Sequence, residues 1–296
     1  MDFHNIMTNI NTNINPFMAK LSFMEAFFIT IVITLTIVVI PLAIYFVFFD
    51  VAVDTNIHYF AFYDQKKDKI TYHKSNKFRR TFNKIYMNHS LKKEIATTID
   101  AFNDHSNNFT INNIPRSLRL VFTGKEGIGK TTLIETIASE YNYGLINFPR
   151  DNYSESMIHK FFKDINTIFP ERVIVLFNKI DFKDLYTTNK RLYNLIAEFV
   201  IKTDRDNLFI FTFNNLDDIP PEFNTTYHVH QQYMMEVHIN NIMDMISDNI
   251  DDDIELSKIK NKLLSYNHKL TPGYIIPYLM FNDNFQKSLD QFLINH

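Results

Sequence analysis

The 296-residue chain has no cysteine and no tryptophan, and only five glycines. Without cysteine it has neither disulfides nor thiolate metal sites, and its redox compartment stays open. Charge of one sign is also lacking. Thirty Lys and Arg nearly balance 33 Asp and Glu, for a net charge of −3. No bulk attraction to nucleic acid is implied, and no nucleic-acid partner is expected. Aromatic residues are abundant instead, with 29 Phe and 15 Tyr.

Scarce glycine makes its placement informative. Three of the five fall within six residues, at Gly124, Gly127 and Gly129. The stretch Gly124-Lys125-Glu126-Gly127-Ile128-Gly129-Lys130-Thr131-Thr132 fits G-x-x-x-x-G-K-S/T, the phosphate-binding P-loop. Glycine serves where the backbone takes positive φ and approaches a ligand closely. A β-rich run at 118–123 precedes the loop and a helix-forming run at 133–138 follows it. In that setting the loop N–H groups converge on the β- and γ-phosphates, and the helix N-terminus adds positive potential. Lys130 is expected between those phosphates, and Thr131 is expected to offer its hydroxyl to Mg²⁺. ATP and Mg²⁺ are the expected cofactors.

Residues 26–49 carry no charge over 24 positions. As a helix they would extend roughly 36 Å, enough for a hydrocarbon core of about 30 Å. The run is too long for a signal-peptide core and has no basic leader, so a single transmembrane helix is expected. Lys20 is the one basic residue before it, whereas Lys66, Lys67 and Lys69 follow it, then Lys74, Lys77, Arg79, Arg80 and Lys84. This bias puts the N-terminus outside and the C-terminal part on the cytosolic or matrix side, in contact with ATP. The basic stretch also suits anionic membrane lipid. Residues 1–25 read as a disordered tail.

Beyond the span, 57–63 and 69–73 read as a β-hairpin, and Ser90 as the cap of a helix to about 104. Strands are expected at 144–148, 172–177 and 208–213, and helices at 154–168 and 189–202. This alternation argues a parallel α/β sheet with helices on both faces. From Gln231 the pattern turns helical, at 232–247, 254–265 and 274–294. The domains are then 1–25 tail, 26–49 span, 50–113 β-containing region with an amphipathic helix, 114–223 P-loop core and 224–296 helical lid.

The strand ending near 177 should deliver two acids, one for Mg²⁺ and one for the attacking water. Asn178 and Lys179 stand there instead, followed by Ile180-Asp181. Asp181, or Asp184, is the reserve metal partner. Asn178-Lys179-Ile180-Asp181 also spells the guanine-reading N-K-x-D. Only about 50 residues separate it from the P-loop, too few for switch regions and their strands. Asn214, after strand 208–213, is the candidate γ-phosphate sensor. His228, His230 and His238 lack the carboxylate spacing of a metal site.

With these pieces together the chain resembles the membrane-anchored AAA ATPases of the mitochondrial family that helps assemble the respiratory cytochrome bc complex, and their relatives in large DNA viruses. The motifs are Ile114-Pro115-x-x-x-x-Leu120-x-x-x-Gly124, then Phe211-Thr212-Phe213-Asn214-Asn215-Leu216-Asp217-Asp218-Ile219-Pro220-Pro221-Glu222-Phe223. The third is Leu270-Thr271-Pro272-Gly273-Tyr274-Ile275 with Pro277, Tyr278 and Met280. The resemblance implies an AAA-type P-loop NTPase fold with a helical lid, a homo-oligomeric ring, and remodelling or translocation of a protein client. Two departures bear on activity. The acidic pair is replaced, and 224–232, where the family carries an arginine, has none. An arginine finger completes a neighbouring subunit's site.

Three readings follow. The first is a membrane-anchored ATPase using Lys130, Asn214 and Asp181. The second is a nucleotide-binding scaffold with little or no hydrolysis. The third is a membrane-tethered nucleotide kinase, hinted at by Arg150-Asp151.

Overall fold

The computed structural model describes residues 57–75, 80–104 and 116–248, apart from 152, 170, 171 and 204. It also describes Phe27 and, nearer the C-terminus, 256–257, 259–261, 263, 271–273 and 275. The expected tail and the expected span lie outside the described residues, Phe27 aside. Among the described residues no helix is long and apolar enough to cross a membrane.

Seven strands form one sheet: β1 (His58–Asp64), β2 (Lys69–Lys74), β3 (Ser117–Thr123), β4 (Gly144–Asn147), β5 (Val173–Asn178), β6 (Asn207–Phe213) and β7 (Gln231–Met234). Their order is β2-β1-β4-β5-β6-β3-β7. Every neighbouring pair is parallel except the hairpin β1–β2. Parallel strands covered on both faces need continuous apolar runs, and β3 and β6 are buried along their whole length.

Helices α1 (His89–Asp104) and α2 (Lys130–Glu140) cover one face. Their Ile95, Ile99, Leu133 and Ile137 pack on Leu120, Phe122, Leu176 and Ile210. Helices α3 (Glu155–Thr167), α4 (Phe182–Thr188) and α5 (Lys190–Lys202) cover the other, against Val121, Val175, Phe177 and Phe209. The α/β sheet with helices on both faces is thus present.

Three elements differ from expectation. The run 232–247 is not one helix. Gln231–Met234 forms β7 beside β3, with Tyr233 buried and its ring stacked 5.3 Å from Phe122. Pairing at the sheet edge overrides a weak helical pattern, and the helix α7 begins only at Ile239 (Ile239–Ser247), after the four-residue α6 (Phe223–Thr226). The short helix α4 was not expected; Asp181 caps it through Oδ1, which accepts from the Asp184 N–H at 2.8 Å. Helix α1 is capped by Asn88, whose Oδ1 accepts from the Ser90 N–H at 2.9 Å, so Ser90 sits inside the first turn. The hairpin also joins the main sheet, because β1 pairs in parallel with β4 and covers its otherwise open edge.

Two features position the region around the P-loop. Phe182 is a hub: its ring lies 5.2 Å from Phe223, 5.5 Å from Tyr227, 5.6 Å from Phe211 and 5.9 Å from Phe177. It ties the turn after β5 to the end of β6. Ile242, Met245 and Ile246 of α7 pack with Ile259, Leu263 and Ile275, a small core made by the described part of the expected lid.

Candidate nucleotide-binding site

β3 ends at Thr123 and the chain enters the glycine loop. Gly124, Gly127 and Gly129 take φ of 151°, 78° and 103°, conformations closed to most side chains. α2 starts at Lys130 behind Gly129, with no side chain capping its N-terminus. The first N–H groups of α2 are therefore open to a ligand, as an anion site requires. The loop is fixed from two sides. The Gly124 N–H donates to the Phe213 carbonyl at 3.2 Å, and the Gly273 N–H donates to the Gly127 carbonyl at 2.9 Å.

The loop forms one wall of a cavity of about 1020 Å³. Glu126, Gly127, Ile128, Gly129, Lys130, Thr131 and Thr132 line it. Asn178 to Asp181 face it from the end of β5, and Thr212 to Asn214 from the end of β6. This is the carboxyl edge of a parallel sheet, where such folds bind ligands. Ile85, Tyr86, Met87, Met235, Met245 and Pro272 add apolar surface to the lining. The lining thus combines polar loop groups with apolar side chains, as ligand pockets commonly do.

The Lys130 ammonium lies over the loop. It donates to the carbonyl oxygens of Gly124 and Lys125 (the latter at 3.1 Å) and to Asn214 Oδ1 at 3.1 Å. Burial lowers its pKa, Lys179 pushes in the same direction and Glu126 opposes. The structure thus brings together Lys130 and Asn214, which are 84 positions apart in sequence. Thr131 and Thr132 are half-buried on the cavity wall. Lys125 is exposed on the loop, and Ile128 is buried against the α1–α2 core.

The positions expected to be acidic behave differently. Asn178 Oδ1 accepts from the Thr212 hydroxyl at 3.0 Å. Lys179 takes φ of 59° and its Nζ donates to Glu126 Oε1 at 2.6 Å. That hydrogen bond holds the Glu126 carboxyl below the usual carboxylate range. The other carboxylates on the wall are committed as well. Asp181 caps α4, and Asp218 Oδ2 accepts from the Asn215 N–H at 3.0 Å. Among the described residues no group of three His, Cys, Asp or Glu gathers to hold a metal. Thr131 keeps its hydroxyl on the cavity wall, while the acid that helps a P-loop hold magnesium is replaced by Asn178.

Sequence reasoning missed Arg80 and Lys84 as cavity residues, grouping them with a basic juxtamembrane stretch. Both line the cavity, and Arg80 Nε pairs with Glu135 Oε2 of α2 at 3.2 Å. No local signal marks them, because their position depends on how the segment before α1 packs on α2. Arg150 and Asp151 are exposed and do not line the cavity. His230 is engaged by Arg119, whose backbone N–H donates to Nδ1 at 3.1 Å. Arg119 itself is buried and donates from Nε to the His228 carbonyl at 3.0 Å.

Residues 120–236 match the family model described as ATPase family associated with various cellular activities (AAA). The likeness to that family is confined to these residues. The matched stretch runs from β3 through β7, and so contains the P-loop, the β5 turn and Asn214. Among solved structures, the chain is similar to the one titled "Crystal structure of FIGL-1 AAA domain", with 11% identity and a TM-score of 0.48. That match covers 62% of this chain and 66% of the other, so it spans just under two thirds of that structure. No curated protein matches the chain.

Proposed function

We propose that this chain is a membrane-anchored AAA-type protein that binds ATP in the 1020 Å³ cavity and hydrolyses it slowly or not at all. Nucleotide occupancy would act as a conformational signal to a protein client. One observation carries the weak-hydrolysis half: Lys179 stands where a water-polarising acid is needed and is bonded to Glu126 of the P-loop. An ammonium cannot accept a proton from water, and Asn178 brings no charge. The binding half is supported by the open N-terminus of α2, the Lys130–Asn214 contact and the apolar part of the cavity lining.

The Gly127–Gly273 contact supports the signalling part, because it ties the phosphate loop to the C-terminal segment. Nucleotide entering the loop changes a group on which that segment rests. Membrane anchoring is supported by the uncharged run 26–49 and the lysines that follow it. A homo-oligomeric ring and a client of the respiratory-complex assembly type remain extensions of the family resemblance, and so does a viral relative.

The test is ATP titration of the full chain in detergent by calorimetry, alongside phosphate release. Lys130→Ala should weaken binding by about ten-fold or more, since it removes a charge-assisted contact to phosphate. The wild type should release little phosphate, and Asn178→Asp with Lys179→Glu should raise that rate. Rapid wild-type turnover would refute the weak-hydrolysis reading, and absence of ATP binding would refute the site.

A further inference from the structure

P-loop sites neutralise the β- and γ-phosphates with the loop lysine and with a divalent ion that carboxylates help to hold. In this cavity Asn178 and Lys179 stand where those acids are expected, and Glu126, Asp181 and Asp218 each accept a hydrogen bond within the protein. A cation is nevertheless present on the same lining. Lys179 lines the cavity, and its Nζ lies 2.6 Å from Glu126 Oε1 on the phosphate loop. The left-handed backbone at Lys179 (φ 59°) turns the chain just after Asn178, the last residue of β5.

We propose that Lys179 stands in for the divalent ion: its ammonium bridges Glu126 and the terminal phosphate, so ATP binds without magnesium. This rests on the reading of the cavity as a nucleoside triphosphate site. An ammonium has three donors, and the bond to Glu126 occupies one, leaving the others for phosphate oxygens. Two other cations of the wall have partners of their own. Arg80 pairs with Glu135, and Lys183 Nζ donates to the Asp217 carbonyl at 3.0 Å. Glu126 needs Lys179 as well, because an unpaired carboxylate in the phosphate loop would repel the nucleotide. The pair therefore brings the loop's own negative charge to neutrality on the cavity lining. Lys130 feels the charges of both Glu126 and Lys179, and all three residues line the same cavity.

The experiment compares ATP affinity of the full chain in detergent, by calorimetry, with magnesium and with excess EDTA. Lys179→Asn is the diagnostic variant, since Asn tolerates positive φ and removes the charge without straining the turn. For the wild type, the affinity in EDTA should stay within about three-fold of that in magnesium, and Lys179→Asn should lose about ten-fold or more in EDTA. Added magnesium should restore part of that loss. Glu126→Gln, which frees the ammonium, should bind ATP in EDTA at least as tightly as the wild type. The proposal is overturned if the wild type itself loses ten-fold or more in EDTA while binding well in magnesium, in which case the nucleotide site stands. It is equally overturned if Lys179→Asn and wild type are alike in EDTA, or if Glu126→Gln weakens binding there. Failure of the wild type to bind ATP in either condition removes the site itself and the proposal with it.

Discussion

Gly273→Ala isolates the contact between the phosphate loop and the C-terminal segment. An added Cβ would stand 2.9 Å from the Gly127 Cα and 3.0 Å from its carbonyl oxygen. Both are backbone atoms, and ordinary carbon contacts begin near 3.5 Å, so the two segments must part by about half an ångström. Overpacking of this kind costs about 1–3 kcal/mol. The Gly273 N–H to Gly127 carbonyl bond, 2.9 Å long, would go with it, for about another 1 kcal/mol. The loop–segment contact is then weakened by about 2–4 kcal/mol. If tight ATP binding needs that contact closed, apparent affinity falls with the closed fraction, by about 30-fold to several hundred-fold. The sheet should be spared, because the C-terminal segment can open locally while the two large cores stay intact. The assay pairs ATP calorimetry with urea unfolding followed by far-UV circular dichroism. The reasoning fails if Gly273→Ala binds ATP like the wild type, or if the sheet loses as much stability as the ligand loses affinity.

Other outcomes follow from the same geometry. Phe182→Ala empties the centre of the aromatic cluster that fixes the turn after β5. It should cost about 3–5 kcal/mol in urea unfolding, read from the midpoint. His230 gives a pH dependence. Burial first, then the charge of Arg119, pushes its imidazole from 6.5 down to about 4. Between those values the unfolded chain takes a proton that the folded state refuses, so stability falls as pH drops from 6.5 towards 4 and that loss is complete below it. The ring has an exposed edge, and solvent screening holds the loss to about 1 kcal/mol. Urea unfolding at pH 7 and pH 4.5 should show a shallower fall in His230→Asn than in the wild type; equal falls would refute the assignment.

The phosphate loop was legible in the sequence because its chemistry is local. Backbone freedom at Gly124, Gly127 and Gly129, a lysine and a hydroxyl must follow one another along the chain, so spacing alone reveals them. The strand–helix alternation was legible for a similar reason: hydrophobic period is a property of ten or so consecutive residues. The hairpin at 58–74 and the helices after Ser154 and Asn189 follow from turn and cap residues that act on their immediate neighbours. Where two segments far apart must meet, the same reasoning had nothing to work with. It read 232–247 as one helix, because only the edge of β3 makes Gln231–Met234 a strand. It assigned Arg80 to a membrane-facing stretch rather than to the cavity wall.

The identity of Asn178 and Lys179 is written in the sequence, and so is the loss of the acidic pair. Their partners are not. That Lys179 bonds to Glu126, 53 positions away, and Lys130 to Asn214, 84 positions away, was decided by the order in which the sheet sets β3, β6 and β5 side by side. Local sequence specifies what each strand end carries, because side-chain chemistry travels with the residue. Only tertiary structure brings those ends to one edge, because strand order is chosen by packing of both faces at once, over contacts that no single segment contains.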